Sequence, residues 1–384
     1  MLRVLTLASL FPTGPRPTFG VFVERQTRAL AAQPGVEVRV VAPVGLPLWP
    51  LSLHPHYAAS RGLPRSECRH GLEIYRPTFA ALPFVGQAGG ARRMASAVLP
   101  LLRELRRDFP FDVIDSEYFW PDGVAAMHLA EALGLPFSIK ARGSDIDHWG
   151  GVSGVREQMV AAANRAGGLL AVSAALRGRM IALGMPETIR VHHTGIDLDL
   201  FRPADRAAAK AALGIHGPLL VGVGALIPLK GQAIAVDALA HLPGATLLLV
   251  GDGPERASLE RRAARSGAPV RFLGNRPHAE LPALLAAADA MVLPSQREGL
   301  ANVWIEALAC GTPLVISDVG GAREVIDRPE AGRIVARTPE AIAEAVDSLL
   351  AQPPPQAEVR KAAERFSWER NGTELADHLR GIAR

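Results

Sequence analysis

A chain of 384 residues exceeds what one hydrophobic core usually organises, so two domains are expected. With 48% hydrophobic and 21% charged residues but only 5% aromatics, the composition excludes disordered, collagen-like and coiled-coil chains and favours Ala-, Leu- and Val-rich helices packed on buried parallel strands. The net charge of +4 arises early, because residues 1–200 carry 21 Lys and Arg against 17 Asp and Glu while residues 201–384 carry 21 of each.

In chain order, short apolar runs ending at Gly, Pro or Asp alternate with stretches of helical period, the pattern of strand–helix units in a parallel sheet. Strands are expected at Arg3–Leu7, Glu37–Val41, Val113–Asp115, Pro136–Ile139, Gly168–Val172 and Ile189–His192. Met1 to Phe11 runs into Pro-Thr-Gly-Pro without a small-residue cleavage site, so it reads as a first strand and not as a secretion signal. From Ala88 to Asp108, Met94, Val98, Leu101, Leu102 and Leu105 recur at helical spacing among Arg92, Arg93, Arg103, Arg106 and Arg107. This basic amphipathic stretch fits either a core-facing helix or contact with an anionic membrane surface, and Pro100 predicts a kink or two shorter helices. No aromatics interleave with these arginines as a stacking platform would require, so nucleic acid is not an expected partner. After a linker near Gly195–Pro203 and a helical run from Ala204 to Leu213, strands return at Leu219–Val223, Ala245–Val250, Val270–Leu273, Ala290–Leu293 and Pro313–Ile316. The chain thus reads as α/β, with two doubly wound Rossmann-like domains in tandem, 1–197 and 198–365, and a terminal segment 366–384.

Ligands of open parallel sheets lie beyond the carboxyl ends of the strands, so function is sought in the strand-to-helix loops. The most informative runs from Pro294 to Gly311, with Ser295 early in it. A helix is expected to start near Asn302 as N-cap and to stop at Gly311. In one continuous helix Glu298 and Glu306 would stand about 80° apart around the axis, whereas a loop followed by a helix lets them converge. The N–H groups of Gly299, Leu300, Ala301 and Asn302 would then sit at a helix N-terminus, suited to phosphate, with carboxylates nearby to accept hydrogen bonds from sugar or ribose hydroxyls. Solvated helix-end charges are the plain alternative for the two glutamates.

This stretch resembles the donor-binding signature of family 4 glycosyltransferases, retaining enzymes of the GT-B fold: Pro-Ser, two residues, Glu-Gly, and a second Glu eight positions after the first. Thr312-Pro313-Leu314-Val315, Asp318 to Glu324, Gly224 with Lys230-Gly231, Val250 to Pro254, Phe272-Leu273-Gly274 and Gly195-Ile196-Asp197 with Phe201 stand at the family's intervals too. The resemblance implies Lys230 as a cation on the donor diphosphate, Glu298 as a contact to the donor sugar and Glu306 as a contact to the ribose. It also implies that the terminal segment from Phe366 crosses back to the first domain. One departure is Ala225, where the family commonly has Arg, and Arg276 or an arginine of the first domain is a candidate replacement cation.

In the first half, Gly20 precedes a helix and would allow close backbone approach to a diphosphate or acceptor, although a glycine before a helix is also a common structural device. Arg142-Gly143-Ser144-Asp145 follows a strand where family members often have His-Gly-x-Asp. With Arg142 in place of the imidazole no general base is implied, and Arg142 and Asp145 are placed at the acceptor side of the catalytic cleft.

Two cysteines, Cys68 and Cys310, make no disulfide framework, and Cys310 has no neighbouring base to activate it. The tripeptides Asp145-Ile146-Asp147 and Asp197-Leu198-Asp199 are of a kind expected by chance, and His192-His193 lack further ligands at zinc spacing, so no metal is expected. The implied activity is metal-independent, retaining transfer of a sugar from a nucleotide diphosphate, UDP- or GDP-sugar, to a glycan or polyprenyl-linked acceptor in cell-envelope polysaccharide or glycolipid synthesis. The expected location is cytoplasmic, with contact to the inner membrane surface. A sugar-nucleotide epimerase on the same scaffold, or a catalytically silent nucleotide-sugar-binding subunit, are the alternatives.

Overall fold

The computed structural model describes residues 1–82 and 87–383; Arg384, the end of the terminal segment read from sequence, lies outside them. It divides into two units, Met1–Gly195 with the segment from Trp368 onward, and Ile196–Ser367.

Among the described residues of the first unit ten strands form: β1 Leu2–Leu7, β2 Val36–Val41, β3 Val44–Leu46, β4 Ser66–Arg69, β5 Leu72–Tyr75, β6 Thr78–Ala80, β7 Val113–Ser116, β8 Phe137–Ala141, β9 Gly168–Ala171 and β10 Arg190–Val191. Eight make one sheet in the order β10-β9-β8-β7-β1-β2-β5-β4, and β3 pairs with β6 separately. Pairing is parallel except for the β4–β5 edge. Leu and Val at both faces of β1 and β7 explain the burial: Val4, Leu5, Leu7, Val113 and Ile114 are all fully inaccessible, as parallel strands covered by helices must be. The terminal helix Trp368–Ile382 packs on the first helix, Val21–Ala31, and its Leu375 and Leu379 join Leu2, Val4 and Leu30 in one apolar cluster.

The basic amphipathic stretch is one helix, Gly90–Asp108, with Pro100 inside it. The expected break does not occur: Pro100 and Ser96, whose carbonyl loses its partner, both lie on the exposed side, where water can serve that carbonyl. Met94, Val98, Leu102 and Leu105 are buried, and the helix packs on β6 and the helix Val124–Leu133. Its apolar stripe is therefore spent on the core, while Arg92, Arg103 and Arg107 remain exposed.

The second unit holds β11 Leu219–Val223, β12 Thr246–Val250, β13 Val270–Gly274, β14 Ala290–Leu293, β15 Leu314–Ser317 and β16 Gly332–Val335, all parallel, in the order β13-β12-β11-β14-β15-β16. The chain works outward from β11 to one edge and from β14 to the other, so the winding reverses between these two strands. In such sheets that reversal opens the crevice where ligands settle. The first unit has the same logic, with its reversal between β1 and β7. Among the described residues no helix is long and apolar enough to cross a membrane.

Candidate active site

In the second unit, the two loops leaving the reversal point hold the candidate residues. After β11, Gly224 and Ala225 lead into a 3-10 turn, Pro228–Lys230, and Gly231 starts the helix Gln232–Ala238. Gly231 has φ 71°, and a Cβ there would stand 2.4 Å from the Pro294 carbonyl oxygen, so only glycine lets the two loops touch. Gln296 N–H donates to the Leu229 carbonyl at 2.7 Å, a second stitch between them. The outcome is a close pair: Lys230 Nζ lies 2.5 Å from Glu298 Oε1, which also accepts from Ser295 Oγ at 2.7 Å. Ser295 is fully buried, and its carbonyl accepts from Ser317 Oγ, which anchors the loop to the end of β15.

A loop then a helix follows β14, with the helix at Asn302–Ala309. The cap differs from the sequence expectation: Ala301 is the N-cap, with φ −74° and ψ 118°, and Asn302 is the first helical residue. Buried Leu300 anchors the entry one residue early, leaving no side-chain cap. N–H groups of a first helical turn precede any intrahelical acceptor, so those of Asn302 and Val303 are available to an anion. Gly320 brings a further segment against Gly299, since its Cβ would meet the Gly299 oxygen at 2.4 Å and Gly321 N–H donates to that oxygen at 2.8 Å.

Glu306 does not join Glu298 on one cation. Its Oε1 lies 2.8 Å from His278 Nε2, and the His278 ring meets Phe201 edge-on at 5.0 Å. Burial and the Glu306 charge push the Cys310 thiol up to about 12, which keeps it an inert core group. Arg276 follows β13, two strands from β11, and its guanidinium lies 3.6 Å from Glu280.

In the first unit Gly20, with φ 68°, ends the loop after β1; a Cβ there would stand 2.4 Å from the Leu10 carbonyl oxygen, so this glycine is required by the loop's own fold. Asp145 is fully buried, and its carboxylate accepts from the N–H groups of Phe119 at 3.0 Å, Arg142 at 3.0 Å, Gly143 at 2.8 Å and Ile146 at 3.1 Å. Those bonds make it a clamp on the loop after β8. Burial raises the Asp145 carboxyl above its ordinary range, and these backbone donors offset only part of that rise.

Arg142 points inward to Glu117, which follows β7. Its Nη2 pairs with Glu117 Oε2, its Nε donates to the Glu117 carbonyl at 3.1 Å, and its guanidinium lies 4.9 Å from the Phe22 ring centre. Behind the pair lies a buried polar chain. Lys140 Nζ donates to Gln26 Oε1 at 2.5 Å and to His192 Nδ1 at 2.9 Å, while Gln26 Nε2 donates to Glu117 Oε1. His192 Nε2 must carry the ring proton, because its partner at 3.0 Å is the Asn371 carbonyl of the terminal helix; Nδ1 is then the acceptor for lysine. Burial, and then the Arg142 charge, holds the Lys140 ammonium well below its ordinary pKa. Asp115 beside them is raised well above the usual carboxylate range by burial and by the Glu117 charge.

The Asp-x-Asp carboxylates have other duties. Asp147 pairs with Arg179 at 3.1 Å, and Asp197 accepts from the N–H groups of Asp199 and Leu200 at 3.1 and 2.9 Å. Among the described residues no three His, Cys, Asp or Glu side chains converge as a metal-binding set.

Comparison with known proteins shows the family. Residues 205–366 match the model for glycosyl transferases group 1, and residues 20–200 match that for glycosyltransferase family 4. The chain is 31% identical over 357 residues to TuaC of Bacillus subtilis (strain 168), a glycosyltransferase named for teichuronic acid biosynthesis, covering 90% of this chain and 88% of that protein. The chain belongs to the group 1, family 4 glycosyltransferases.

A D-inositol 3-phosphate glycosyltransferase of Frankia alni is 36% identical to this glycosyltransferase over 276 residues, 63% of this chain and 66% of the relative. Among solved structures, sucrose-phosphate synthase from Thermosynechococcus elongatus superposes with a TM-score of 0.80 at 21% identity, covering 99% of this chain and 98% of that one. Anabaena HepE in complex with UDP-glucose gives 0.73 at 22%, covering 99% and 100%. Two Rossmann-like units with parallel sheets are the GT-B fold. Sequence reasoning missed Glu117, Gln26, Lys140 and His278 in this glycosyltransferase. A lysine inside an otherwise apolar strand was the one available signal, and it pointed to Lys140 alone.

Proposed function

We propose that this glycosyltransferase transfers a sugar, with retention and without a divalent metal, from a UDP- or GDP-sugar to a glycan or polyprenyl-linked acceptor of cell-envelope synthesis at the cytoplasmic face of the membrane. The observation that carries the donor assignment is the Lys230 Nζ–Glu298 Oε1 contact of 2.5 Å on the two loops that leave the winding reversal. A diphosphate at the open N–H groups of Asn302 and Val303 would draw Lys230 toward its oxygens and free Glu298 to accept hydrogen bonds from sugar hydroxyls. Glu306, oriented by His278, would take the ribose hydroxyls. As the diphosphate leaves, the acceptor oxygen bonds to the anomeric carbon on the same face and its proton passes to the departing phosphate oxygen, so no protein nucleophile is needed. Lys230 and the helix N-terminus act where negative charge grows in that step.

Ala225 leaves the diphosphate one side-chain cation poorer than the family pattern. Arg276, held near Glu280, is the second-unit candidate, and an arginine of the first unit is the other. Gly20, Arg142 and Asp145 serve the acceptor side by shaping loops, with Arg142 held by Glu117. Mass spectrometry of products from a panel of UDP- and GDP-sugars with lipid and sugar acceptors tests the reading, and the anomeric coupling of the product tests retention. Sugar transfer that survives EDTA is expected; loss on chelation and recovery with Mn2+ would reject metal independence. Turnover of the nucleotide sugar to an epimer without acceptor would reject transfer itself.

A further inference from the structure

Six large hydrophobic side chains are exposed among the described residues, and four of them fall within six consecutive positions: Leu48 at 57%, Trp49 at 78%, Leu51 at 60% and Leu53 at 58%. They belong to the excursion that leaves β3 and returns at β4. The segment is not loose chain. Ser52 N–H donates to the Leu48 carbonyl at 3.2 Å, Leu53 N–H to Pro50 at 2.9 Å and His54 N–H to Leu51 at 3.1 Å, and the Arg61 guanidinium closes back on the Ser52 carbonyl. A hydrogen-bonded turn thus holds the apolar side chains outward, although exposed apolar side chains on a soluble surface are normally scattered singly.

Along the segment that carries the patch, charge has one sign. No Asp or Glu occurs between Glu37 and Glu67, whereas Arg61, Arg65, His54 and His56 are all exposed there. An exposed Trp among leucines with cations at the margin is the chemistry of a membrane interface: the ring seats at headgroup depth, the leucines reach the acyl boundary and the arginines meet anionic headgroups. The same excursion supplies Ala59, Ser60 and Leu63 to the wall of a cavity of about 310 Å³, which Phe11 and Phe79 also line.

We infer that residues 48–53 seat this protein on an anionic bilayer, with Trp49, Leu51 and Leu53 entering the interface and Arg61 and Arg65 holding headgroups. This replaces the helix Gly90–Asp108 as the apolar element of contact, since the stripe of that helix is buried. The inference rests on the proposed membrane-borne acceptor for its purpose, but its evidence is separate.

The test is co-sedimentation of the full chain with vesicles of phosphatidylcholine and phosphatidylglycerol at low salt. Wild type is expected to bind, and Trp49→Ser/Leu51→Ser/Leu53→Ser to bind at least about tenfold more weakly. Arg61→Gln/Arg65→Gln should lose the salt-sensitive part. Bromine-labelled lipids should quench emission of wild type but not the corresponding fraction in Trp49→Phe, which reads depth without relying on the triple variant's fold. Absence of vesicle binding by wild type, undiminished binding by the triple variant, or no Trp49-dependent quenching each overturns the inference. So does a dimer of wild type that the triple variant dissolves, because the patch would then belong to a second copy. Transfer to a water-soluble acceptor analogue should be unchanged in the triple variant, so failure of docking and failure of the transferase reading give different results.

Discussion

The two units meet their charged groups in opposite ways. In the second, Lys230 and Glu298 stand partly exposed on loops, with side-chain accessibilities of 23% and 10%; in the first, Arg142 and Glu117 are at 5% and 1%, and Lys140 is fully buried. A pair on loops can exchange partners when a ligand arrives. A buried pair cannot, because separating it strands a charge in a medium that does not solvate it. In the proposed reading the second unit keeps its charges for binding, while the first uses them to fix the loops after β7 and β8.

That contrast is sharpest in stability. Glu117→Ala should cost about 3–5 kcal/mol, the range for removing one partner of a buried ion pair, measured by denaturant unfolding. A loss below about 1 kcal/mol would show that the first-unit network is not holding its loops. Next in size, Lys230→Ala and Glu298→Ala should each lower turnover by about 100-fold, roughly 2.7 kcal/mol in the barrier, with melting temperature little changed. Equal rates with folding intact would remove the donor assignment.

The terminal helix gives a third handle. His378 is buried against Ser138, its Nε2 2.9 Å from Ser138 Oγ, and burial lowers its pKa to about 4. A base with a depressed folded pKa binds its proton more readily when unfolded, so the stability it confers is present above about 6.5 and drains away as pH falls toward 4. From pH 7 to pH 5 wild type should lose about 2 kcal/mol that His378→Gln does not lose. Parallel pH profiles for the two would sink this account. Smallest of the set, Glu306→Ala should raise the donor KM by roughly tenfold with kcat within about twofold, as expected for a group that binds ribose equally in ground and transition states.

The same contrast decides what could be read before the fold was known. Most buried strands were legible because each is a short apolar run closed by a breaker, and β11 and β14 have the expected bounds; β5, with Leu72 and Ile74 buried, was missed. The strands β4 and β6 were not, since Thr78–Ala80 is only three residues long and Ser66–Arg69 is half-exposed and carries no apolar signature. β16 escaped for the same reason at the other sheet's edge. Glu298 and Glu306 were legible because loop and helix are contiguous in sequence. Their separate partners, Lys230 and His278, become distinct only through the sheet order that sets one loop beside another. Gln26, Glu117, Lys140 and His192 come from four separate segments of the chain, and nothing in their spacing announces that the fold gathers them.

Calorimetric titration of UDP and GDP into wild type and Lys230→Ala reads the central claim without acceptor or turnover. The donor assignment predicts that wild type binds one of the two at a single site and that Lys230→Ala weakens this binding by at least about tenfold, the loss of one charge-assisted contact to a diphosphate. Binding of equal strength in both proteins would place the nucleotide away from the loops that leave β11 and β14 and contradict the account.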